Sequence, residues 1–229
     1  MRDRIVERLT GATGDPKAVE EAARAVGERC VPEILAAFEE AFAIPVSLEC
    51  ASVEITRLAD SRPAPGGFGA MSIATSGSSP DALLLVIDAD ALAIALCGMF
   101  GADEDMPVVP IGRPLSTIEI DVAEQLFEMF ANAFNGSGDR SFGIRFPLPA
   151  PIVGEEIEKQ VIRDGPAARI VFNLVFGESR GQVAVTIPQR VLVEHRGEGR
   201  AKASNAAWRE RFSEEVMRST VSLRATLPL

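Results

Sequence analysis

Few residues in this chain have a type and spacing that could do covalent chemistry. His195 is the only histidine among 229 residues. A general base needs an orienting group and a nearby nucleophile, and nothing close to His195 in sequence marks either. Its expected place is the C-terminal end of a short helix, where positive charge is favourable. Asp88 and Asp90 could be read as an acid pair, but at a helix start they stand beside free amide N–H groups, so capping explains them. Glu119, Asp121, Glu124 and Glu128 could also mark a site. Glu124 and Glu128 are four apart, and a solvated helix face accounts for them. Cys30, Cys50 and Cys97 form no CxxC pair, and with one histidine they give no metal-ligand spacing. They are expected to be buried thiols in a reducing compartment. Gly66-Gly67-Phe68-Gly69 has the glycines of a phosphate cradle. Such a cradle follows a strand and opens a helix, whereas these glycines lead into a strand with no Lys-Ser/Thr after them, so a turn is expected. Nucleophile elbows and HExxH motifs are absent from the sequence. This inventory points to a binding part with no cofactor, not to an enzyme.

The elements that must position these residues read clearly. Thr13-Gly14-Asp15-Pro16 separates a short helix at residues 3–9 from a long one, with Asp15 as N-cap and Pro16 as first helical residue. Apolar residues from Val19 to Ala41 recur at helical spacing. Pro32 predicts a kink or break inside that run, and the helix ends before Pro45. Val46 to Leu58 alternates as a strand with a bulge near Ala51. Phe68–Ser76 and Ala82–Ile87 are the next strands. Ala102 to Pro114, rich in Asp, Glu and Pro, is expected to be an exposed loop. Ser116 and Glu119 make a capping box for a helix from Thr117 to Phe134. The apolar face of that helix is expected to hold Ile118, Val122, Gln125, Leu126, Met129, Phe130, Ala133 and Phe134.

Beyond Asn135-Gly136-Ser137-Gly138, the three prolines of Phe142–Val153 suit an edge strand or loop. Glu156–Ile162, Ala168–Phe176 and Gln182–Ile187 are predicted strands, with a hairpin turn at Gly177–Gly181. A short helix to about His195, a polar linker and a last helix from Asn205 to Arg218 follow. One pattern recurs. Leu84-Leu85-Val86-Ile87 followed by Asp88 and Leu92 has the plan of Val183-Ala184-Val185-Thr186-Ile187 followed by Pro188 and Leu192. A duplicated strand–helix unit of this kind predicts a pseudo-symmetric scaffold.

Net charge narrows the partners. Acidic residues outnumber basic ones 33 to 23, giving a net charge of −10. Nucleic acid and anionic lipid both require clustered Lys and Arg, so neither is an expected partner. Ala82 to Phe100 is apolar apart from Asp88 and Asp90. A central Asp costs about 2.5–3.5 kcal/mol on membrane insertion, so strand then helix is the better reading than a membrane span. Met1-Arg2-Asp3-Arg4 lacks the apolar run of a signal peptide, and the chain is expected to stay in the cytoplasm.

In order and spacing, these motifs resemble the middle domain of the FliM family of bacterial flagellar motor switch proteins. The resemblance lies in Leu84 to Leu92, in Met99-Phe100-Gly101 and in Arg113-Pro114-Leu115-Ser116-Thr117-Ile118-Glu119. The last of these is similar to the family's R-x-L-T-x-I-E opening of its long helix. Gly181 to Pro188 resembles the second-half strand ending in Ile-Pro, and Trp208 with the tail to Leu227 resembles the approach to a SpoA-type domain. The resemblance runs from about Ala18 to Leu229. It implies an α/β fold, an α/β/α sandwich of two pseudo-symmetric halves of the CheC/FliM-like kind. Residues 1–15 would be an N-terminal segment, 16–218 the middle domain, and 219–229 the start of a SpoA-like domain that the chain does not complete.

The resemblance further implies a non-enzymatic part of the cytoplasmic rotor ring at the flagellar basal body. Its implied partners are FliG, a FliN-type ring protein, phosphorylated CheY and neighbouring copies of itself. Phe100, Gly101 and Ala102 would be the partner-binding residues, because the family's Gly-Gly-x-Gly loop at that position contacts FliG. Here that loop reads Gly101-Ala102-Asp103-Glu104, so the contact would be rebuilt with acidic side chains. A bulky charged residue at Gly101 is then expected to weaken FliG binding without unfolding the domain. The family's acidic CheY-binding peptide is not recognisable before Asp15. CheC-type phosphatases share the fold and carry Glu-x-x-Asn on the long helix. The third residues after Glu124 and Glu128 are Phe127 and Ala131, which argues against that activity. A related cytoplasmic ring protein of type III secretion is a further alternative.

Overall fold

The computed structural model describes residues 15–77, 79–103, 107–136 and 141–196. The predicted helices at 3–9 and 205–218, Trp208 and the tail 219–229 lie outside the described residues. The elements run α1 (Pro16–Ala41), β1 (Ser47–Arg57), β2 (Ala70–Ala74), β3 (Leu83–Ile87), α2 (Ala89–Phe100), α3 (Thr117–Asn135), β4 (Ile152–Val153), α4 (Glu156–Lys159), β5 (Pro166–Phe176), β6 (Ser179–Pro188) and α5 (Gln189–Arg196). The strands form one sheet in the order β1-β5-β6-β3-β2-β4, and every pairing is antiparallel.

Alternation along the strands sends residues to opposite faces. Leu83, Leu85 and Ile87 of β3 meet Ile170 and Phe172 of β5 and the buried residues of α1, α2, α3 and α5 in one core. Leu84 and Val86 point the other way. They join Met71, Ile73, Ile157 and Ile162 in a smaller core under α4 and the loops around it. Both faces are thus covered, which is why β2 and β3 are buried at every position and read as unbroken apolar runs. The α/β class is the expected one, with a thick helical layer on one face and a thin layer on the other.

The helical layer is built from aromatic packing. Phe127, Phe130 and Phe134 of α3 are all within 1% of complete burial. Phe130 and Phe134 meet the Phe172 ring edge-on, with centroids at 5.5 and 6.0 Å. Burying one such side chain contributes about 1.5–3 kcal/mol. The face of α3 turned to the core differs from the expected one. Phe127, Ala123 and Ala131 belong to it, whereas Ile118 is 60% exposed and Gln125 is exposed. Helix α1 runs through Pro32 without a break, so neighbouring packing outweighs the lost hydrogen bond. Asp15 does not cap α1 with its side chain, although Pro16 does open it.

Two further strand readings resolve differently. The register of β1 against β5 shifts between Cys50 and Ser52, placing a bulge at Ala51 as the alternation implied. Residues 156–159 form the one-turn helix α4 instead of a strand. Only Ile157 and Ile162 of that stretch are buried, while Val161 is 85% exposed, so no strand face exists there.

The repeat is visible in the pairing. β3 and β6, the two copies of the repeated strand, lie side by side and antiparallel. Leu85 pairs with Val185, its own counterpart, so a pseudo-two-fold axis passes between them. About that axis the hairpin β2–β3 corresponds to β5–β6, α2 to α5, and α3 to α1. The outer strands are exchanged: β1 of the first half pairs with β5 of the second, and β4 of the second half pairs with β2 of the first.

Candidate functional site

The candidate site is built at the C-terminal end of α2. Asp88 starts that helix, accepting the Ala91 N–H at 2.7 Å. Its other oxygen accepts the Gln182 N–H at 2.9 Å, so one carboxylate caps the first repeat and holds the second. Burial pushes its pKa up, against the pull of those amide donors. Close approach at this joint needs Gly181, where a Cβ would stand 2.0 Å from the Ala91 nitrogen.

At its other end α2 stops at Gly101, whose φ of 77° is the left-handed region that favours glycine. The Gly101 N–H donates to the Cys97 carbonyl at 3.0 Å and the Ala102 N–H to the same oxygen at 3.2 Å. From behind, the Ala43 and Ile44 N–H groups donate to the Gly98 carbonyl at 2.8 and 3.2 Å. A Cβ at Gly98 would meet the Phe42 ring at 2.5 Å, so glycine is needed there for the α1–β1 connection to press against α2. The helix end is therefore braced, and it projects a phenyl ring outward: Phe100 is 69% exposed.

Beside this end lies a groove of about 480 Å³ between α2 and the Pro107–Arg113 segment, with Leu96, Cys97 and Ala102 on its helical side. Val108 and Ile111 of the segment pack toward the core, while Val109 is 78% exposed. The loop is thus less free than its composition implied. A second groove of about 520 Å³ lies along the Pro63–Gly69 turn, with Pro114 and Leu115 in its wall. The Gly66–Gly69 stretch is the turn expected, leading into β2.

The segment is anchored by a pair the sequence reading missed. Arg113 donates from both terminal nitrogens to the two Glu119 carboxylate oxygens, each at 2.9 Å. Glu119 also accepts the Ser116 N–H at 2.5 Å and completes the predicted capping box. Glu119, expected as the capping-box partner of Ser116, is also only 6% exposed. The Arg113 guanidinium, with the Ser116 donors, holds its carboxyl at about 2 instead of 4.5. Arg113-x5-Glu119 straddling a capping box was the available signal.

No protein-family model matches the sequence. The flagellar motor switch protein FliM of Rhizobium meliloti (strain 1021) is 29% identical over 149 residues, which are 62% of this chain and 47% of that protein. The chain thus spans about half the length of the curated relative it matches. Among solved structures, the FliG–FliM complex from H. pylori aligns at a TM-score of 0.61 and 14% identity, over 77% of this chain and 98% of that one. The FliM middle domain from H. pylori aligns at 0.56 and 13%, over 78% and 98%. The fold is that of the FliM middle domain.

Within the FliM fold, the three predicted site residues come together at one corner, with Phe100 and Gly101 exposed and Ala102 half-buried at the groove. Asp103 is exposed beside them, and Glu104 lies outside the described residues. His195 falls in the last turn of α5, as expected for a helix end. The three cysteines are free, Cys30 buried and Cys50 and Cys97 half-buried. Among the described residues, no cluster of three or more His, Cys, Asp or Glu side chains could hold a metal ion. Among the same residues, no helix is long and apolar enough to cross a membrane.

Proposed function

We propose that this chain is a non-enzymatic component of the bacterial flagellar motor switch, seated in the cytoplasmic rotor ring at the basal body. In this reading it binds FliG through the corner formed by Phe100, Gly101 and Ala102. The observation that carries it is the FliM middle-domain fold together with an exposed phenyl ring on a braced helix end. A large apolar side chain held rigidly in solvent loses little conformational entropy when a partner covers it. A FliN-type ring protein, phosphorylated CheY and neighbouring copies of the chain are the other partners of this reading. Switching would then come from rotation at interfaces between copies, not from a chemical step.

The geometry changes which substitution tests the contact. At Gly101 any side chain strains a backbone with φ of 77°, so lost binding there would mix strain with contact. Phe100→Asp is the cleaner variant. Pull-down and titration of FliG from the same organism with the intact chain should give a complex, and Phe100→Asp should weaken it by about tenfold or more, the range of an interface anchor. No complex with the wild-type chain would overturn the reading.

The CheC-like phosphatase alternative fares worse on the geometry. Phe127 and Ala131, the positions three after Glu124 and Glu128, are 1% and 0% exposed in the core. An asparagine's amide is not available at either place. Dephosphorylation of a phosphorylated response regulator, lost on Glu128→Ala, would favour that alternative instead.

A further inference from the structure

The proposed partner corner has one wall of irregular backbone. Pro107 to Arg113 has no helical or strand hydrogen bonding to hold it, yet it faces α2 across the groove. Val108 and Ile111 rest partly on the core, and with no regular backbone hydrogen bonding the rest of the segment depends on how its ends are fixed. Its C-terminal end is fixed by Arg113, whose guanidinium grips a carboxylate that is itself nine-tenths buried and hydrogen-bonded into the first turn of α3. The grip is two-pronged, which fixes direction as well as distance. Arg113 is itself largely exposed, so its side chain is not needed to fill the core.

We propose that Arg113 is a positioning residue that, through Glu119, ties the Pro107–Pro114 segment to α3 and thereby sets the groove beside Phe100 for the partner. This rests on the reading that the corner receives FliG. Arg113 and Glu119 stand at the edge of the groove, and the part assigned to Arg113 is to restrict the segment to one arrangement. Without it, the segment samples positions away from α2 and only a fraction of molecules presents the closed groove. A partner that needs this arrangement then binds more weakly in proportion to that fraction.

Cys97 supplies a readout independent of any partner, because it lines the groove and is half-buried there. Cys50 is half-buried on β1, away from the groove, and serves as an internal control. The experiment compares the full chain with its Arg113→Ala and Arg113→Lys variants. Maleimide labelling is followed at each cysteine by peptide mass spectrometry, FliG affinity by titration and folding by urea denaturation. Arg113→Ala is expected to raise the Cys97 labelling rate several-fold with Cys50 unchanged, as thiol access increases. If the competent fraction drops to about one tenth, FliG affinity falls about tenfold. Arg113→Lys keeps the charge without the two-pronged geometry and should shift both readouts in the same direction by less. Unchanged Cys97 labelling in Arg113→Ala overturns the proposal, as does unchanged FliG affinity when labelling rises. A lysine variant indistinguishable from wild type replaces the clasp by a simple charge effect and overturns it too. Should the wild-type chain fail to bind FliG, the functional reading fails, while Cys97 labelling still decides whether the clasp exists.

Discussion

Gly181→Ala tests the joint between the two repeats. The new Cβ would stand 2.0 Å from the Ala91 nitrogen, 2.3 Å from its Cα and 2.5 Å from the Asp90 carbonyl carbon. Ordinary contact begins near 3.4 Å, so the first turn of α2 must retreat by up to 1.4 Å, the difference of those values. All three obstructing atoms are backbone, so no side-chain rotation relieves the clash. Retreat also pulls Asp88 between its two donors, Ala91 at 2.7 Å and Gln182 at 2.9 Å. Overpacking costs about 1–3 kcal/mol, and losing one hydrogen bond to a charged group about 1.5–3 kcal/mol. Together these predict a destabilisation of about 2.5–6 kcal/mol. At about 2–4 °C per kcal/mol for a chain of this size, Tm should drop by roughly 5–24 °C. Gly112→Ala is the control, because nothing lies within 4 Å of its added Cβ, and it should stay within about 1 kcal/mol of wild type. Urea and thermal denaturation of both variants measure the difference. Equal midpoints for the two would refute the argument that close helix–strand approach demands glycine at 181.

Acid stability should depend on Glu119. Its folded-state value of about 2 lies below the ordinary 4.5, so its contribution is complete above about pH 4.5 and fades as pH falls toward 2. Between pH 5 and pH 3 the wild type should therefore lose stability faster than Glu119→Gln, and parallel urea midpoints across that range would contradict this. Cys30 should be the last cysteine to react with a thiol reagent. Burial pushes it up to about 11, leaving about one molecule in a thousand as thiolate at pH 8, and its labelling should follow unfolding. Labelling of Cys30 as fast as Cys97 in native buffer would count against its buried position.

Local rules carried the sequence reading at several single residues, but not at Pro32, which α1 runs through, or at Asp15, whose side chain makes no cap. The capping box at Ser116 and Glu119, the cap at Asp88 and the bulge at Ala51 each follow from chemistry within a few residues, and each is present. The repeat was legible because the two copies keep their spacing. What escaped the reading was long-range. Gly181 reads as a turn glycine, but the turn is only Gly177-Glu178, since Phe176 already pairs with Ser179. Its need for glycine comes from Ala91, ninety residues away in sequence. Glu119 lies on a helix crowded with acids, and only the approach of Arg113 makes one of them a buried partner. Ile118 is apolar at helical spacing yet 60% exposed, while its neighbour Glu119 is the buried residue of that turn. At the candidate corner, sequence marked the helix end and its glycine; the groove and its clasp depend on how the Pro107–Arg113 segment folds back.

The crossed outer strands bear on how the chain can be divided. β1 completes the sheet beside β5, and β4 beside β2, so each half supplies an edge to the other. Nicking the chain between residues 101 and 117 would leave two fragments, each missing its border strand and presenting bare backbone donors and acceptors. Such fragments are expected to be insoluble apart and to reassemble when mixed. A split reporter could exploit this, with the folded sheet restored only when both pieces are made in one cell.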